Sequence, residues 1–307
     1  MFSHTHGPYS PAAVRPRRFP GRWMLITALW LTLFLPLAAT QAQAAPDTQQ
    51  PTLKFGLLPF ASPVALFERF APLRDYLNLQ LGTQFVLETA RDFSVHVQRI
   101  EAGDYHLLLT APHFVPIALD SGHYQLLAAY KEDLSTVYLV GRYDPATDLS
   151  ALAGRRIGTP PPEALITLVG EDHLLKILGD QAPTPAFVPF PSHNAAIHAI
   201  ASGLVDAAAV SINVARMEIN RGVAVRILDE TPSFPGVGIL ARKDLAEPLR
   251  EALRETLIGM TDREDGSDVL RVMIYAGYKP ASAEDYEPFR AILPRARQYL
   301  SPASPEP

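Results

Sequence analysis

From residue 53 onward, short apolar runs alternate with longer stretches whose apolar residues recur every three or four positions. The first run, "LKFGLLPF", meets Pro59 and predicts a buried strand. In "PVALFERFAPLRDYLNLQLG", Leu66, Phe70, Leu73 and Leu77 fall on one helical stripe, and Gly82 closes it as a C-cap. Pro72 inside that stretch predicts a bend. "QFVLETA", "HLLLTA", "YQLLAAY" and "TVYLVGRY" predict further strands, with helices over "DFSVHVQRIEAGDY" and "PHFVPIALDSG". The alternation then continues. Strands "RRIGTP", "AFVPFP", "VDAAAV", "VAVRILDE" and "VGILARKD" are interleaved with helices over "PEALITLVGEDHLLKILGD", the stretch after Pro191, and "INVARMEINRG". A helix over "LAEPLREALRETLIGMT" and a last helical region from about 266 to 299 precede the tail "SPASPEP", which is expected to be disordered.

Strands alternating with helices predict open, mainly parallel sheets with helices on both faces. Such sheets bind ligands beyond the carboxyl ends of their strands. The candidate site therefore lies in the turns after Pro59, Thr110, Thr159, Pro191 and Val210.

The first 44 residues break the pattern. Arg15, Arg17, Arg18 and Arg22 precede the apolar "WMLITALWLTLFLPLAA", and "AQA" ends at Ala44. A basic region, an apolar core and a small-residue site predict a cleaved signal peptide and a periplasmic location. The apolar core, interrupted by Pro36, is short for a membrane span of roughly 20 residues. Without the four leader arginines, 23 basic residues face 32 acidic ones, a net charge of −9. No basic patch or excess remains for nucleic acid or an anionic membrane. The 307-residue chain has no cysteine, which excludes disulfides, thiolate metal sites and a lipidated N-terminus. Its composition suits two modest domains.

The stretch "PSHNAAIHAIASGLVDAAAV" carries the most chemistry. Ser192 precedes the periodic Ile197, Ile200 and Leu204 and suits an N-cap. His193 and Asn194 then fall in the first helical turn, where free N–H groups and the helix dipole favour an anion. By spacing alone, a cap and a solvated histidine explain the stretch equally well. Ser62, Thr110, His113, Ser211 and Asn213 also sit at strand-to-helix turns, as caps or as contacts, and Tyr130 and Tyr138 suit either a cleft lining near the crossover or core packing.

Four segments resemble the substrate-binding proteins of phosphate/phosphite/phosphonate-type ABC transporters, the PhnD-like family. They are "LKFGLLPFASP", "RIEAGDYHLLLTAPHFV", "SHNAAIHAIASGLVDAAAV" and "ETPSFPGVGILARKDL", within about residues 53–262. The third is the most specific: His193 followed by Gly203, Val205, Asp206 and Ala207. The resemblance implies a type II periplasmic binding protein of the α/β class, with two α/β lobes, two crossover strands and an interlobe cleft. Lobe 1 would comprise 45–135 and 238–307, and lobe 2 would comprise 136–237, with crossovers near 136–141 and 228–236. It implies that His193 contacts a phosphonate or phosphate group, that the lobes close by a hinge, and that no cofactor, metal or enzymatic step is involved. A monomer handing a small ligand to an ABC permease in the inner membrane is the implied role. A sensor feeding a histidine kinase, or a scaffold acting only through protein contacts, are the alternatives.

The ligand-specific positions depart from that family. Its Ser/Thr-rich turn opening the second lobe is matched here by "TPPPEALITLVG", and the hydroxyl positions become Ala164, Leu165 and Ile166. Three lost charge-assisted hydrogen bonds cost roughly 4.5 kcal/mol or more, about a thousandfold in affinity. Thr159 and Thr167 lie nearby, and Glu163 either supports the helix dipole or, facing the cleft, repels phosphate and favours an ammonium. Asn213 and Val237 stand where aminoalkyl-phosphonate binders carry carboxylates. No G-x-S-x-G or H-E-x-x-H is present, and His193 and His198, five apart, point away from each other on a helix.

Overall fold

The computed structural model describes residues 51–300, so the leader and the tail read above lie outside the described residues. The chain lays down β1 (Leu53–Leu57), β2 (Phe85–Thr89), β3 (Leu107–Thr110) and β4 (Tyr124–Tyr130) before crossing to β5 (Thr136–Gly141). There β6 (Arg156–Thr159), β7 (Ala186–Pro189), β8 (Ala207–Ser211) and β9 (Val225–Glu230) complete a second sheet. It then returns through β10 (Gly238–Arg242) to β11 (Tyr278–Lys279). The first sheet has the order β11-β4-β10-β3-β1-β2 and the second β7-β6-β8-β5-β9.

Both sheets are mixed rather than mainly parallel. β1, β2 and β3 pair in parallel, as do β6, β7 and β8. The strands next to the crossovers reverse this: β10 runs antiparallel to β3 and β4, and β5 antiparallel to β8 and β9. Sequence alternation detects the strand–helix units but not a strand that returns from the other lobe. The two linking segments touch each other through reciprocal Leu134 and Phe234 backbone bonds of 2.8 Å.

Burial explains the elements. The helix α1 (Pro63–Leu81) buries Leu66, Phe70, Leu73 and Leu77 completely, the stripe its spacing predicts. Those residues join Phe55, Leu57 and the wholly buried β3 in one large core under the first sheet. In the second sheet β5 alternates: Val137 and Leu139 pack on one face, Tyr138 and Val140 on the other. The small residues of β8, Ala207, Ala208 and Ala209, are fully buried and let helices approach both faces.

The last helical region is not continuous. α7 (Glu247–Ile258) and α8 (Glu264–Met273) are followed by β11, then a 3-10 segment (Ala283–Ala291) and α9 (Leu293–Tyr299). Gly277, at φ 108°, turns the chain into β11, a conformation that a residue with a side chain resists. Arg290 then pairs with both oxygens of Asp120 at 2.5 and 2.8 Å, and Arg297 reaches Glu101 at 3.0 Å. Both bonds fasten the C-terminal segment to the first lobe. No helix among the described residues is long and apolar enough to cross a membrane.

Candidate functional site

On the second lobe, α5 (His193–Ala201) starts directly after β7, capped by Ser192, whose Oγ accepts from Ala195 N–H at 3.2 Å. His193 opens the helix. Its Nδ1 accepts the Ser211 backbone N–H at 3.2 Å. Ser211 ends β8 and begins α6 (Ile212–Asn220), so one imidazole ties two neighbouring helix starts together. Burial lowers the His193 pKa to about 4. The neutral ring, with Nδ1 accepting, carries its proton on Nε2 and presents it as a donor. Thr159 is buried at the carboxyl end of β6, its carbonyl taken by Phe190 N–H at 2.8 Å. Asn213 lies exposed in the first turn of α6.

Asn194 is turned elsewhere. Its Nδ2 donates at 2.9 Å to Glu218, which is 3% exposed and also receives Arg221 at 2.7 Å and His198 at 3.2 Å. This brace fixes α5 against α6. Replacing Glu218 with Ala is expected to cost about 1–2 kcal/mol, read as a lower urea midpoint at unchanged m-value.

On the first lobe, Ser62 is occupied as the cap of α1, its Oγ accepting from Ala65 N–H at 3.3 Å. Thr110 is fully buried, and its hydroxyl meets His96 Nε2 at 3.0 Å on α2 (Phe93–Ala102). His113 stands in a short 3-10 turn (Pro112–Phe114) before α3 (Val115–Asp120), its ring 3.8 Å from that of Phe114. Its Nε2 donates at 3.0 Å to the backbone carbonyl of Glu163 on the other lobe. Burial pushes the His96 and His113 pKa values down to about 3, so both rings are neutral. Nδ1 of each is buried without a protein partner.

The opposing wall is the turn before α4 (Leu165–Leu178). Pro160, Pro161 and Pro162 supply no N–H donors. The Ala164 N–H is taken by the Pro161 carbonyl and the Thr167 hydroxyl by the Pro160 carbonyl. Burial raises the Glu163 carboxyl pKa, and the like charge of Asp92 on the first lobe adds to the rise. Ala164, Leu165 and Ile166 are all buried, and Leu165 packs into the first lobe's core. Of the three positions matched to family hydroxyls, all are buried and Leu165 makes an apolar interlobe contact.

Sequence reasoning names His193, Ser211, His113 and Glu163 singly, and the structure pairs His193 with Ser211 and His113 with Glu163. Sequence reasoning misses His96, and it misses a polar network at the crossovers. There Ser135 Oγ bonds Glu230 at 2.5 Å, Thr136 N–H bonds Thr231 Oγ1 at 3.0 Å, and Thr136 Oγ1 bonds the Ile166 carbonyl at 2.8 Å. These pairs lie 30 or 95 residues apart in sequence, beyond any local pattern. Among the described residues no cluster of three metal-ligating side chains occurs. Two surface depressions, of about 360 Å³ beside Gly103 and Arg242 and about 750 Å³ beside Arg142 and Asp206, open at the amino ends of parallel strands. Neither touches His193 or His113; hydrogen-bond geometry, not cavity size, marks the site.

Two α/β lobes joined by paired crossovers, with helix starts facing one another, define a type II periplasmic binding protein. The chain belongs to the phosphonate family of ABC-transporter periplasmic substrate-binding proteins, whose model matches residues 55–286. PhnD1 of Prochlorococcus marinus, solved with methylphosphonate, superposes with a TM-score of 0.71 at 17% identity, covering 80% of this chain and 98% of its own. A binding-protein component of a Pseudomonas aeruginosa ABC phosphonate transporter gives 0.67 at 17%, covering 81% and 88%. A Xanthomonas citri protein solved with ATP gives 0.65 at 17%, covering 81% and 99%. At these identities the likeness shows the fold. The family is one of transport proteins rather than enzymes.

Proposed function

We propose that this protein captures a small polar or anionic solute in the periplasm, reached through a cleaved signal peptide, and as a monomer presents it to an ABC permease in the inner membrane. The observation that carries this reading is the His193 ring: its Nδ1 is held by Ser211, and its Nε2–H is left as a donor beside the starts of α5 and α6. A neutral imidazole donor beside the start of α6, which has no side-chain cap, suits an acceptor-rich solute. Ser211, Asn213 and Thr159 complete the second-lobe wall; His113 and Glu163 lie where the lobes meet. The solute is one other than a 2-aminoethyl phosphonate: Asn213 and Val237 stand where aminoalkyl-phosphonate binders carry carboxylates, and the α4 turn offers prolines and aliphatic side chains in place of three hydroxyls.

A thermal-shift panel of phosphate, phosphite, alkyl phosphonates, sulfonates, amino acids and thiamine-like compounds tests this. A binder at 100 times its Kd adds about 2.7 kcal/mol, near 5–10 °C for a chain of this size. His193→Ala is expected to weaken that binder ten- to a hundredfold while lowering the unliganded melting temperature by only about 2–4 °C, through the lost Ser211 bond. A panel with no shift at all overturns the reading. Micromolar binding of 2-aminoethyl phosphonate overturns the exclusion alone.

A further inference from the structure

We propose that the 160–166 turn and the C-terminal helix form an intramolecular latch that holds the two lobes together without any solute, so that a ligand must displace part of the protein itself. This goes beyond solute capture and rests on contacts within the chain. Leu165 belongs by sequence to the second lobe but is 4% exposed within the core of the first, and Val169, one helical turn on, packs against the same core. The Glu163 carbonyl occupies His113 Nε2 at 3.0 Å, the kind of buried donor that a solute bridging the lobes would otherwise engage. Three consecutive prolines and the Thr167–Pro160 bond stiffen the turn that delivers both groups.

A second anchor lies two turns along α4. Arg295 of α9 pairs with both Glu171 and Asp172, and the Glu171 side chain is only 12% exposed. α9 is fixed to the first lobe through Arg297–Glu101, and the 3-10 segment before it through Arg290–Asp120, so Arg295 joins the lobes at a point separate from the crossovers. Opening the lobes exposes Leu165 and Val169, strips His113 of its acceptor and leaves Glu171 without its cation. Each consequence favours the closed form, and all act on α4, whose first turn reaches the other lobe. Solute entry then depends on how readily α4 lets go, which makes Leu165 and Arg295 determinants of affinity without contact to the solute.

The chain has no cysteine, so paired spin labels can be placed at Leu79→Cys on the first lobe and Tyr143→Cys on the second, where exposures are 80% and 92%. Pulsed electron-spin distance measurements are then made on solute-free protein. The latched protein is expected to give one narrow distribution. Leu165→Ala and Arg295→Gln are each expected to shift the closed-to-open ratio on the order of tenfold, adding a broad component at longer distance. Leu165→Met, which keeps the apolar volume, should retain the narrow peak. Circular dichroism confirms that each variant is folded; should Leu165→Ala unfold, the surface change at Arg295 carries the test. A broad, long distribution in the unaltered, solute-free protein overturns the latch. So does a narrow peak that survives in the folded variants.

Discussion

Taken from pH 7 to pH 5, the protein is expected to lose about 4 kcal/mol of unfolding free energy from two buried histidines alone. His96 and His113 are fully buried, and desolvation holds both near pKa 3 against an ordinary value of 6.5. Arg99 adds to the depression at His96, while the Glu163 carbonyl partly opposes it at His113. Between about pH 3 and 6.5 the unfolded chain therefore binds protons that the folded chain refuses. Stability is complete above 6.5 and falls as pH drops below it, by about 2 kcal/mol per ring at pH 5. His193, lowered to about 4 by burial, acts in the same direction. Urea unfolding at pH 7, 6 and 5 reads the effect directly, and His113→Gln should remove about half of it. Stability unchanged across that range would show that both rings protonate in place.

The same histidines show where sequence reasoning reaches and where it stops. Helix periodicity locates α1 through Leu66, Phe70, Leu73 and Leu77, because burial against a sheet imposes that spacing. Ser62 and Ser192 are legible as caps for a similarly local reason: an N-cap oxygen meets an N–H three residues on. His193 is legible as the start of α5, but its bond to Ser211 spans 18 residues and needs β8 to place the donor beside the acceptor. Asn194 fails the other way. Its position in the first turn is right for an anion, yet its amide turns to the buried carboxylate of Glu218, 24 residues on. Burial of that carboxylate demands donors, and Asn194 is within reach. The sheets mislead for a topological reason, since β10 joins the first sheet only after the chain has built the second.

The position of Leu165 is the least legible of all. Its place in the helix pattern is read correctly, but nothing local says which lobe buries it. In the structure the leucine at this turn is an interlobe contact. A leucine that lined an open cleft would face water; this one is covered because the lobes meet there. The make-up of this turn is thus tied to the packing of one lobe on the other.

Gly236→Ala is expected to destabilise the protein by about 3 kcal/mol, lowering the melting temperature by roughly 6–12 °C. Gly236 lies in the returning crossover, where a Cβ would come within 2.6 Å of the Glu132 carbonyl and 2.9 Å of Tyr130 Cβ. Both obstacles lie where β4 ends and the chain leaves for the second lobe, and the nearer is backbone, which cannot rotate aside as a long side chain would. Its φ is not positive, so the requirement is for space alone. Separating the crossovers also disturbs the Tyr286 hydroxyl, which donates to the Gly236 carbonyl at 3.0 Å and ties the C-terminal segment to the hinge. Gly259→Ala is the matched control, because nothing lies within 4 Å of its added methyl. It should be neutral or stabilise by about 0.4–1 kcal/mol, through the unfolded state. Equal melting temperatures for the two variants would mean that the crossovers tolerate separation, and the close approach at the hinge would then have no energetic role.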